Sequence, residues 1–381
     1  MANRGADRGK VKFAFSEGRG YSKGKGTNRV QTKEVERMVG ETQDPGTGKR
    51  DEPGRPTERR PAVSVVIPVH NGLSQLPLAI ASVQRQSILP AEIIVVDDGS
   101  TEGQAAEVIR AGGRELAGPV EVRVFRRENG GPSRARNHGI GLARYPWLAF
   151  LDADDTWEAE KLACQWRAVE ARPGLDLVSA DWVRPGEALP AGPIPPATLW
   201  PRALERIIWL NRFQTSTVLV RRAALERAGL FRPELDGAED WDAWIRVAAG
   251  GEVAHVAHPL VRYADTPTGV SKNLPALYRH ATSMLDGFAR GEGGEEIGRL
   301  LTARLFVWHH LRFAAGFFRL GDGATAAVCL GAAWRPGRRL LCLGVCLWNL
   351  LPFLLARRLR RLTWRPGWTG ASAPGGVGMK N

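Results

Sequence analysis

Three aspartates directly follow an apolar stretch near the middle of the chain. The stretch is Trp147–Leu151, and the acids are Asp152, Asp154 and Asp155. An apolar run that ends in acids is typical of a buried strand whose carboxyl end opens into a cleft. Carboxylates clustered in this way can share a hard divalent cation such as Mg²⁺ or Mn²⁺, which keeps substrate phosphates among its ligands. The alternative is structural, because Asp155 could cap a helix that begins at Thr156.

A second pair of acids, Asp97 and Asp98, ends the β-branched run 92–96 and is followed by Gly99 and Ser100. Either carboxylate could accept the imide N–H of uracil or thymine, or a ribose hydroxyl. Asp, Gly and Ser are also the usual residues of turns and helix caps, so the sequence leaves both interpretations open.

The loop after the first strand carries a third polar group. We predict a β-branched strand over 63–67 that Pro68 ends. The loop backbone is expected to face the base of a nucleotide, with an asparagine side chain tying the turn. The loop residues are Pro68, Val69, His70 and Asn71. An ordinary strand exit is the alternative.

Gly130 and Gly131 precede a predicted helix that runs to about residue 143. A helix N-terminus after glycines is a natural place for phosphate, and Arg136 could add positive charge there. The alternative is a plain glycine turn with surface arginines. The spacing matches neither a Walker loop nor a dinucleotide fingerprint, so it supports neither an NTPase nor a dehydrogenase.

Glu239 and Asp240 begin a predicted amphipathic helix, apart from the other acids. The helix dipole and cap favour the ionised carboxylate at this position. An ionised Asp240 directed into a cleft could take the proton from an attacking hydroxyl group. The alternative is a capped helix with a solvated acidic first turn.

Predicted strands and helices alternate from residue 63 to 151, which indicates a parallel sheet with helices on both faces. Ligands bind beyond the carboxyl ends of the strands in such sheets, so the three polar groups are expected to converge at one edge. Further elements are predicted as helices over 158–171, 199–210 and 274–320, and as strands at 176–180, 217–220, near 253 and at 260–263.

The length of 381 residues and a hydrophobic content of 43% allow one large domain or two. The net charge of +13 is concentrated at the ends: residues 1–60 carry +6 and 301–381 carry +11, which leaves −4 for 61–300. This distribution argues against a nucleic-acid groove over the site and favours tails that meet an anionic surface. The predicted organisation is a disordered basic leader at 1–60, an α/β domain at 61–275, a helical extension at 276–366 and a flexible tail at 367–381.

The cysteines and the C-terminal sequence bear on location. Cys164, Cys329, Cys342 and Cys346 lack metal-ligand spacing, and we expect buried, reduced thiols in a cytoplasmic protein. The N-terminus shows no apolar h-region, so export by a signal peptide is not expected. Leu340–Ala356 is apolar and bracketed by arginines, which favours an interfacial helix at the inner-membrane surface over a packed hairpin or a membrane span.

Five motifs, in this order and spacing, resemble those of the family 2 glycosyltransferases, which have the GT-A fold. They cover about residues 61–270. The motifs are Val65–Asn71, Val95–Thr101, Gly131–Asn137, Phe150–Asp155 and Glu239–Trp241. The resemblance implies a Rossmann-like, mostly parallel sheet flanked by helices, with the leader and the helical extension outside it.

The resemblance also implies an inverting transfer of a sugar from a nucleotide-diphosphate donor, of the UDP or dTDP type, to a sugar or lipid-linked acceptor. Mn²⁺ or Mg²⁺ would be held at the DxD motif by Asp154, with Asp152 helping through the metal or the ribose. Asp97 or Asp98 would contact the base beside the loop after the first strand. The donor site would further include Arg136, Ala153 and Glu239, and Asp240 would be the base.

Two other functions share this fold. Nucleotidyl transfer onto a sugar phosphate normally needs a glycine-rich, basic triphosphate loop near the first strand, and the short link from Pro68 to Leu76 does not supply one. A non-catalytic module that binds nucleotide sugars would bind the donor without turnover, and the presence of Glu239 and Asp240 argues against it.

Overall fold

The structure is a computed structural model and describes residues 60–112, 116, 118–264 and 273–334. The described residues form a mixed sheet with helices packed on both of its faces. The predicted leader and the apolar run Leu340–Ala356 lie outside the described residues, apart from Arg60.

The described part of the chain contributes nine strands to the sheet. They are β1 (Val63–Val69), β2 (Glu92–Asp97), β3 (Val122–Arg126), β4 (Trp147–Phe150), β5 (Thr156–Trp157), β6 (Leu175–Val183), β7 (Thr198–Leu199), β8 (Leu219–Arg221) and β9 (Glu252–Arg262). The order is β3-β2-β1-β4-β8-β6-β9-β5, with β7 also paired to β9. The first four strands in this order are parallel, as predicted. The other half is mixed, because β8 pairs antiparallel with both β4 and β6.

Eleven α-helices are described. They are α1 (Leu76–Gln84), α2 (Ala105–Ala111), α3 (Pro132–Leu142), α4 (Lys161–Ala171), α5 (Ala203–Ile207), α6 (Arg222–Arg227), α7 (Glu239–Gly250), α8 (Leu274–Ala289), α9 (Glu295–Leu300), α10 (Ala303–Arg319) and α11 (Gly323–Ala333). None of the helices in the described ranges has both the length and the apolarity to cross a bilayer.

Two apolar cores lie on opposite faces of the sheet, because side chains alternate along each strand. Val65 and Ile67 of β1 face one core, with α1, α2 and α4. Val66 of β1 and Phe150 of β4 face the other, with α3 and the helices that follow residue 200. Both faces of the central strands are therefore covered by packed side chains, which positions the loops at the strand ends.

The C-terminal helices share the second core with the sheet. Phe288 of α8 and Phe317 of α10 are fully buried in the same cluster as Phe150 and Trp244. Arg312 of α10 also lies over the indole of Trp241 in α7, 5.4 Å from the ring centroid. The domain boundary at residue 275 stays a prediction, but the helices beyond it pack directly on α7.

The prediction that Pro68 ends β1 is wrong, since β1 continues to Val69 and pairs Pro68 with Val96 of β2. The even-numbered residues of β1 direct their backbone groups towards β4, as the bond from Leu151 N–H to the Val66 carbonyl shows. The β4 ladder ends at the pair of Val66 and Phe150. The missing N–H of Pro68 therefore faces no strand partner, and a proline is tolerated there.

Other predicted boundaries also moved. The helix predicted from residue 158 begins at Lys161, because Thr156–Trp157 pair with β9 instead. The helix predicted over 199–210 shrinks to α5, because Thr198–Leu199 also pair with β9. The two strands predicted near 253 and at 260–263 are one strand, β9, which is long enough to pair with β5, β6 and β7. Short pairings with a distant strand leave little signal in local sequence.

Candidate active site

The loops after β1 and β2 interlock at the carboxyl edge of the sheet. Asn71 adopts a left-handed conformation (φ 56°), and its side-chain oxygen accepts the Thr101 backbone N–H at 2.9 Å. The backbone N–H of Asn71 donates to the Ser100 hydroxyl at 3.0 Å. His70 Nδ1 lies 2.9 Å from the Asp98 carbonyl oxygen. Asn71 therefore ties the turn, as the sequence indicated, and Val69 and His70 are held beside the two acids.

Both acids at the end of β2 already accept hydrogen bonds from the protein. The Asp97 carboxylate accepts the backbone N–H groups of Ser100 at 2.8 Å and Ala105 at 3.0 Å, so it fixes the turn and the start of α2. The Asp98 carboxylate accepts the Gly131 N–H at 2.8 Å and pairs with Arg127. The structural interpretation of this motif is thus realised, and contact of either carboxylate with a base stays a prediction.

The N-terminus of α3, the predicted phosphate position, is occupied by a side chain of the protein itself. The Asp236 carboxylate accepts the Ser133 N–H at 3.2 Å and also the Ser133 hydroxyl. A Cβ added to Gly131 would lie 2.2 Å from an Asp236 carboxylate oxygen, so glycine is required for this approach. The expected phosphate position is therefore taken by a carboxylate that satisfies the helix end.

Arg136 connects the acids after β4 with the first turn of α7. Its guanidinium donates to Asp152 at 2.8 Å and to Glu239 at 2.7 Å. The side chain is buried, and the two carboxylates hold its pKa above the usual value although burial acts in the opposite direction. The positive charge of Arg136 is therefore neutralised by ion pairs within the protein. These pairs join the motif after β4 to the motif at the start of α7.

The three acids after β4 have different environments. Asp155 is buried and accepts the Ser216 hydroxyl at 2.5 Å and the Ala264 N–H at 2.8 Å, so it does not cap a helix. Burial, and secondly the charge of Asp152, raise the pKa of Asp154 to about 6. Asp152 and Asp154 therefore form a partly exposed pair whose negative charges repel each other.

The donor set at this pair fits a hard divalent cation. No group of three His, Cys, Asp or Glu side chains in the described ranges could hold a metal by itself. Two carboxylates are nevertheless the usual protein contribution to a Mg²⁺ site that substrate phosphates complete. Because Asp154 is disfavoured in its charged form without a cation, metal binding would relieve this repulsion.

Asp240 is buried at the start of α7, and its carboxylate is held by several donors. Both oxygens lie 3.0 Å from the Asn211 amide nitrogen, and the Thr215 hydroxyl donates at 3.2 Å. Burial, and secondly the charge of Glu239, raise the pKa of Asp240 to about 7. A carboxylate with this pKa is a competent proton acceptor near neutral pH.

Asn211, Thr215 and Ser216 were not identified from the sequence as site residues. Ser216 accepts the Asp152 N–H at 3.1 Å and donates to Asp155, while its neighbour Thr215 donates to Asp240. This segment therefore links the acid loop to the candidate base. Hydroxyl residues before a strand are too common for the run at 215–217 to be informative alone.

An aromatic cluster sets the position of α7 relative to β4. Phe150, the last residue of β4, packs edge-on against Phe231 with ring centroids 5.2 Å apart, and Phe231 packs edge-on against Trp244 at 5.6 Å. Trp244 lies one turn after Asp240, and Phe150 lies two residues before Asp152. This cluster therefore sets the position of the acids after β4 relative to the candidate base.

Known proteins resemble this chain mainly over its sheet-forming part. A family model described as Glycosyl transferase family 2 matches residues 64–232. The amylovoran biosynthesis glycosyltransferase AmsB of Erwinia amylovora is 28% identical over 212 residues, which cover 52% of this chain and 68% of that protein. The O-antigen biosynthesis protein RfbC of Myxococcus xanthus is 30% identical over 210 residues, which cover 53% of this chain and 16% of that protein.

The chain spans less than a third of the length of the first curated relatives that it matches: 24%, 16% and 31% for the first three. Among solved structures, the mannosyltransferase PcManGT from Pyrobaculum calidifontis, in complex with GDP-Man and Mn²⁺, is similar with a TM-score of 0.50. It is 20% identical, and the match covers 79% of this chain and 83% of that chain. The predicted GT-A fold is confirmed.

Proposed function

We propose that the chain is an inverting glycosyltransferase of glycosyl transferase family 2, the family whose model matches residues 64–232. It moves a sugar from a nucleotide-diphosphate donor to an acceptor hydroxyl. The observation that carries the proposal is the bridge made by Arg136. Its guanidinium contacts Asp152, which follows β4, and Glu239, the neighbour of Asp240. The proposed metal ligands and the proposed base therefore belong to one site.

Asp240 is the proposed base. It removes the acceptor proton as the hydroxyl oxygen attacks the anomeric carbon, while the diphosphate leaves from the opposite face of the sugar, which inverts the anomeric configuration. Its position inside the fold, with a pKa raised to about 7 by burial and by Glu239, supports this role. Asn211 and Thr215 position its carboxylate by hydrogen bonds.

Asp152 and Asp154 would hold the divalent cation, which would supply charge stabilisation to the nucleotide-diphosphate leaving group. Mn²⁺ or Mg²⁺ suits these oxygen ligands. The carboxylate of Asp236 already satisfies the N-terminus of α3, so that helix end offers little further stabilisation to a diphosphate. We therefore propose that transfer depends on the metal.

We propose a UDP or dTDP type donor, contacted by Pro68, Val69, His70 and Asn71 and by Asp98. Arg127, the charged partner of Asp98, is partly exposed, so its side chain can move aside when a base enters. Asp97 accepts two backbone N–H groups of the segment that follows it, and we propose that it supports the loop instead. Ala153 would line the donor site between Asp152 and Asp154.

The proposed acceptor is a sugar on a lipid-linked or polysaccharide intermediate. The names of relatives that act in amylovoran and O-antigen biosynthesis support this class. We propose a cytoplasmic protein that is peripheral to the membrane face. The buried free thiols of Cys164 and Cys329 agree with a reducing compartment.

The loop between β1 and α1 does not support the alternative of nucleotidyl transfer. The loop between β1 and α1, residues 70–75, contains one glycine and neither Lys nor Arg. This loop therefore offers no Lys or Arg side chain to bind a triphosphate.

A panel of nucleotide sugars should identify the donor by thermal stabilisation. We expect one UDP- or dTDP-linked sugar, at saturating concentration with Mn²⁺, to raise the melting temperature by about 5 °C. The same sugar with a chelator should give little or no shift. Equal stabilisation by every nucleotide sugar, or by none, with and without Mn²⁺, would contradict the proposed donor site.

Asn211→Ala should shift the pH dependence of transfer. The Asn211 amide lowers the pKa of Asp240 by hydrogen bonding to its charged form, so its removal should move the acidic limb of the rate profile upward by about one pH unit. Thr215→Val, which removes one weaker donor, is the matched control and should move it less. A uniform loss of rate at all pH values would instead indicate a role in the fold.

A further inference from the structure

The outer side of α11 is apolar although it faces solvent. No residue of α11 is charged, and Ala326, Cys329 and Ala333 already form the buried side against α10. Val328 and Leu330 lie on the outer side with 66% and 49% exposure. A surface helix normally carries polar residues on this side, so the pattern requires an apolar or interfacial partner.

The apolar side of α11 continues onto the end of α10. Phe318 is 75% exposed, Leu320 is 70% exposed, and Trp334 follows α11 with 42% exposure. Phe318 and Leu330 line the same shallow hollow of about 420 Å³ between the two helices. In the described part of the chain, five of the seven exposed large apolar side chains belong to this surface, which we call the α10–α11 face. Such clustering marks an interaction site.

The charge carried by the C-terminal part of the sequence indicates the kind of partner. Arg319 lines the same hollow and is exposed. The sequence from 301 to 381 contains twelve basic and one acidic residue, whereas residues 61–300 carry a net charge of −4. A solvent-facing apolar helix that has Arg319 beside it, a tryptophan at its end and further arginines later in the sequence has the composition of a segment that lies on an anionic bilayer.

We propose that the α10–α11 face docks on the surface of an anionic phospholipid bilayer. Phe318, Leu320, Val328, Leu330 and Trp334 would enter the boundary between headgroups and acyl chains, and Arg319 would contact lipid phosphates. The inference rests on the membrane contact included in the proposed function and specifies the surface that makes it. Because α10 packs on α7, docking there would hold the candidate active site near lipid-linked acceptors.

Vesicle flotation with the full chain tests the proposal without any donor or acceptor. We expect binding to vesicles of phosphatidylcholine with an equal part of phosphatidylglycerol, weak binding to phosphatidylcholine alone, and weaker binding in about 0.5 M salt. The double variant Val328→Ser/Leu330→Ser should bind anionic vesicles at least about tenfold more weakly. Phe318→Ser, on the other helix, should act in the same direction.

Leu78→Ser is the matched control, because Leu78 is 61% exposed on α1, outside this face. It should leave vesicle binding unchanged. Melting temperatures of all variants should stay near that of the wild type, since each replaced side chain is exposed. Undiminished vesicle binding by the double variant would overturn the proposal. The proposal would also be overturned if the wild-type chain did not bind vesicles but formed dimers through Val328 and Leu330. Transfer to a soluble acceptor, measured separately, should be unchanged, so failure of docking and failure of the proposed activity are distinguishable.

Discussion

Asp240→Asn is expected to lower the rate of sugar transfer by about 10²–10⁴ while donor binding is retained. The amide preserves the shape of the side chain but cannot accept a proton. The Asn211 and Thr215 contacts place the wild-type carboxylate without involving Asp152 or Asp154, so donor affinity should not change. Steady-state rates measure the first effect and calorimetry with the donor measures the second.

Asp286→Asn is a suitable control for this substitution, because Asp286 is an exposed carboxylate on α8. It should transfer sugar at the wild-type rate. Unimpaired turnover in Asp240→Asn would remove Asp240 from the role of base and direct attention to its neighbour Glu239.

The raised pKa of Asp240 also fixes the sign of two pH effects. Because the base must be ionised, wild-type transfer should rise with pH through about 7. The folded pKa exceeds the unfolded value, so the contribution of this group to stability is complete below about pH 4 and is lost as pH rises through about 7. Asp240→Asn should lack that loss, and its melting temperature relative to the wild type should therefore be higher at pH 8 than at pH 4.

Asp154→Ala is expected to abolish the Mn²⁺-dependent part of donor binding and to slow transfer by about 10³ or more. Charge stabilisation by a metal amounts to several kcal/mol, and Asp154 is the proposed main ligand. Calorimetry with the donor, with and without Mn²⁺, measures the loss directly. The variant should also be no less stable without metal, because the burial that raises the pKa of Asp154 penalises its charged form.

Asp286→Ala is the matched control for this second substitution and should keep the metal response. Donor binding by Asp154→Ala that still increases with Mn²⁺ would show that the cation is held elsewhere. Asp155 is a poor substitute ligand, since both of its oxygens accept hydrogen bonds from the protein.

The parallel half of the sheet and its polar edge could be predicted because the signals are local. The runs that became β1, β2 and β4 are β-branched or apolar, and each ends in polar residues that parallel pairing brings to one edge. The starts of α3 and α7 were also marked by glycine and by acids, respectively. This part of the fold is therefore predictable from hydrophobic periodicity and from the residues typical of turns.

The partners of these residues could not be predicted, because they are set by contacts distant in sequence. Asp236 caps a helix that begins more than a hundred residues earlier, and Asn211 approaches Asp240 from a loop with no motif. Arg136 was predicted to add positive charge at the helix N-terminus, with a surface arginine as the alternative, but its two carboxylate partners lie far away in sequence, after β4 and at the start of α7. The roles of Asp236, Asn211 and Arg136 therefore depend on tertiary contacts.

The packing of the C-terminal helices on α7 limits how far the chain can be truncated. A fragment that stops at residue 275 looks reasonable from the motifs, yet it would remove Met284, Leu285 and Phe288 from the core around Trp244. It would also uncover Trp241, the residue next to Asp240, by deleting Arg312. Such a fragment should aggregate during expression, so shortened versions should retain the chain at least to residue 334.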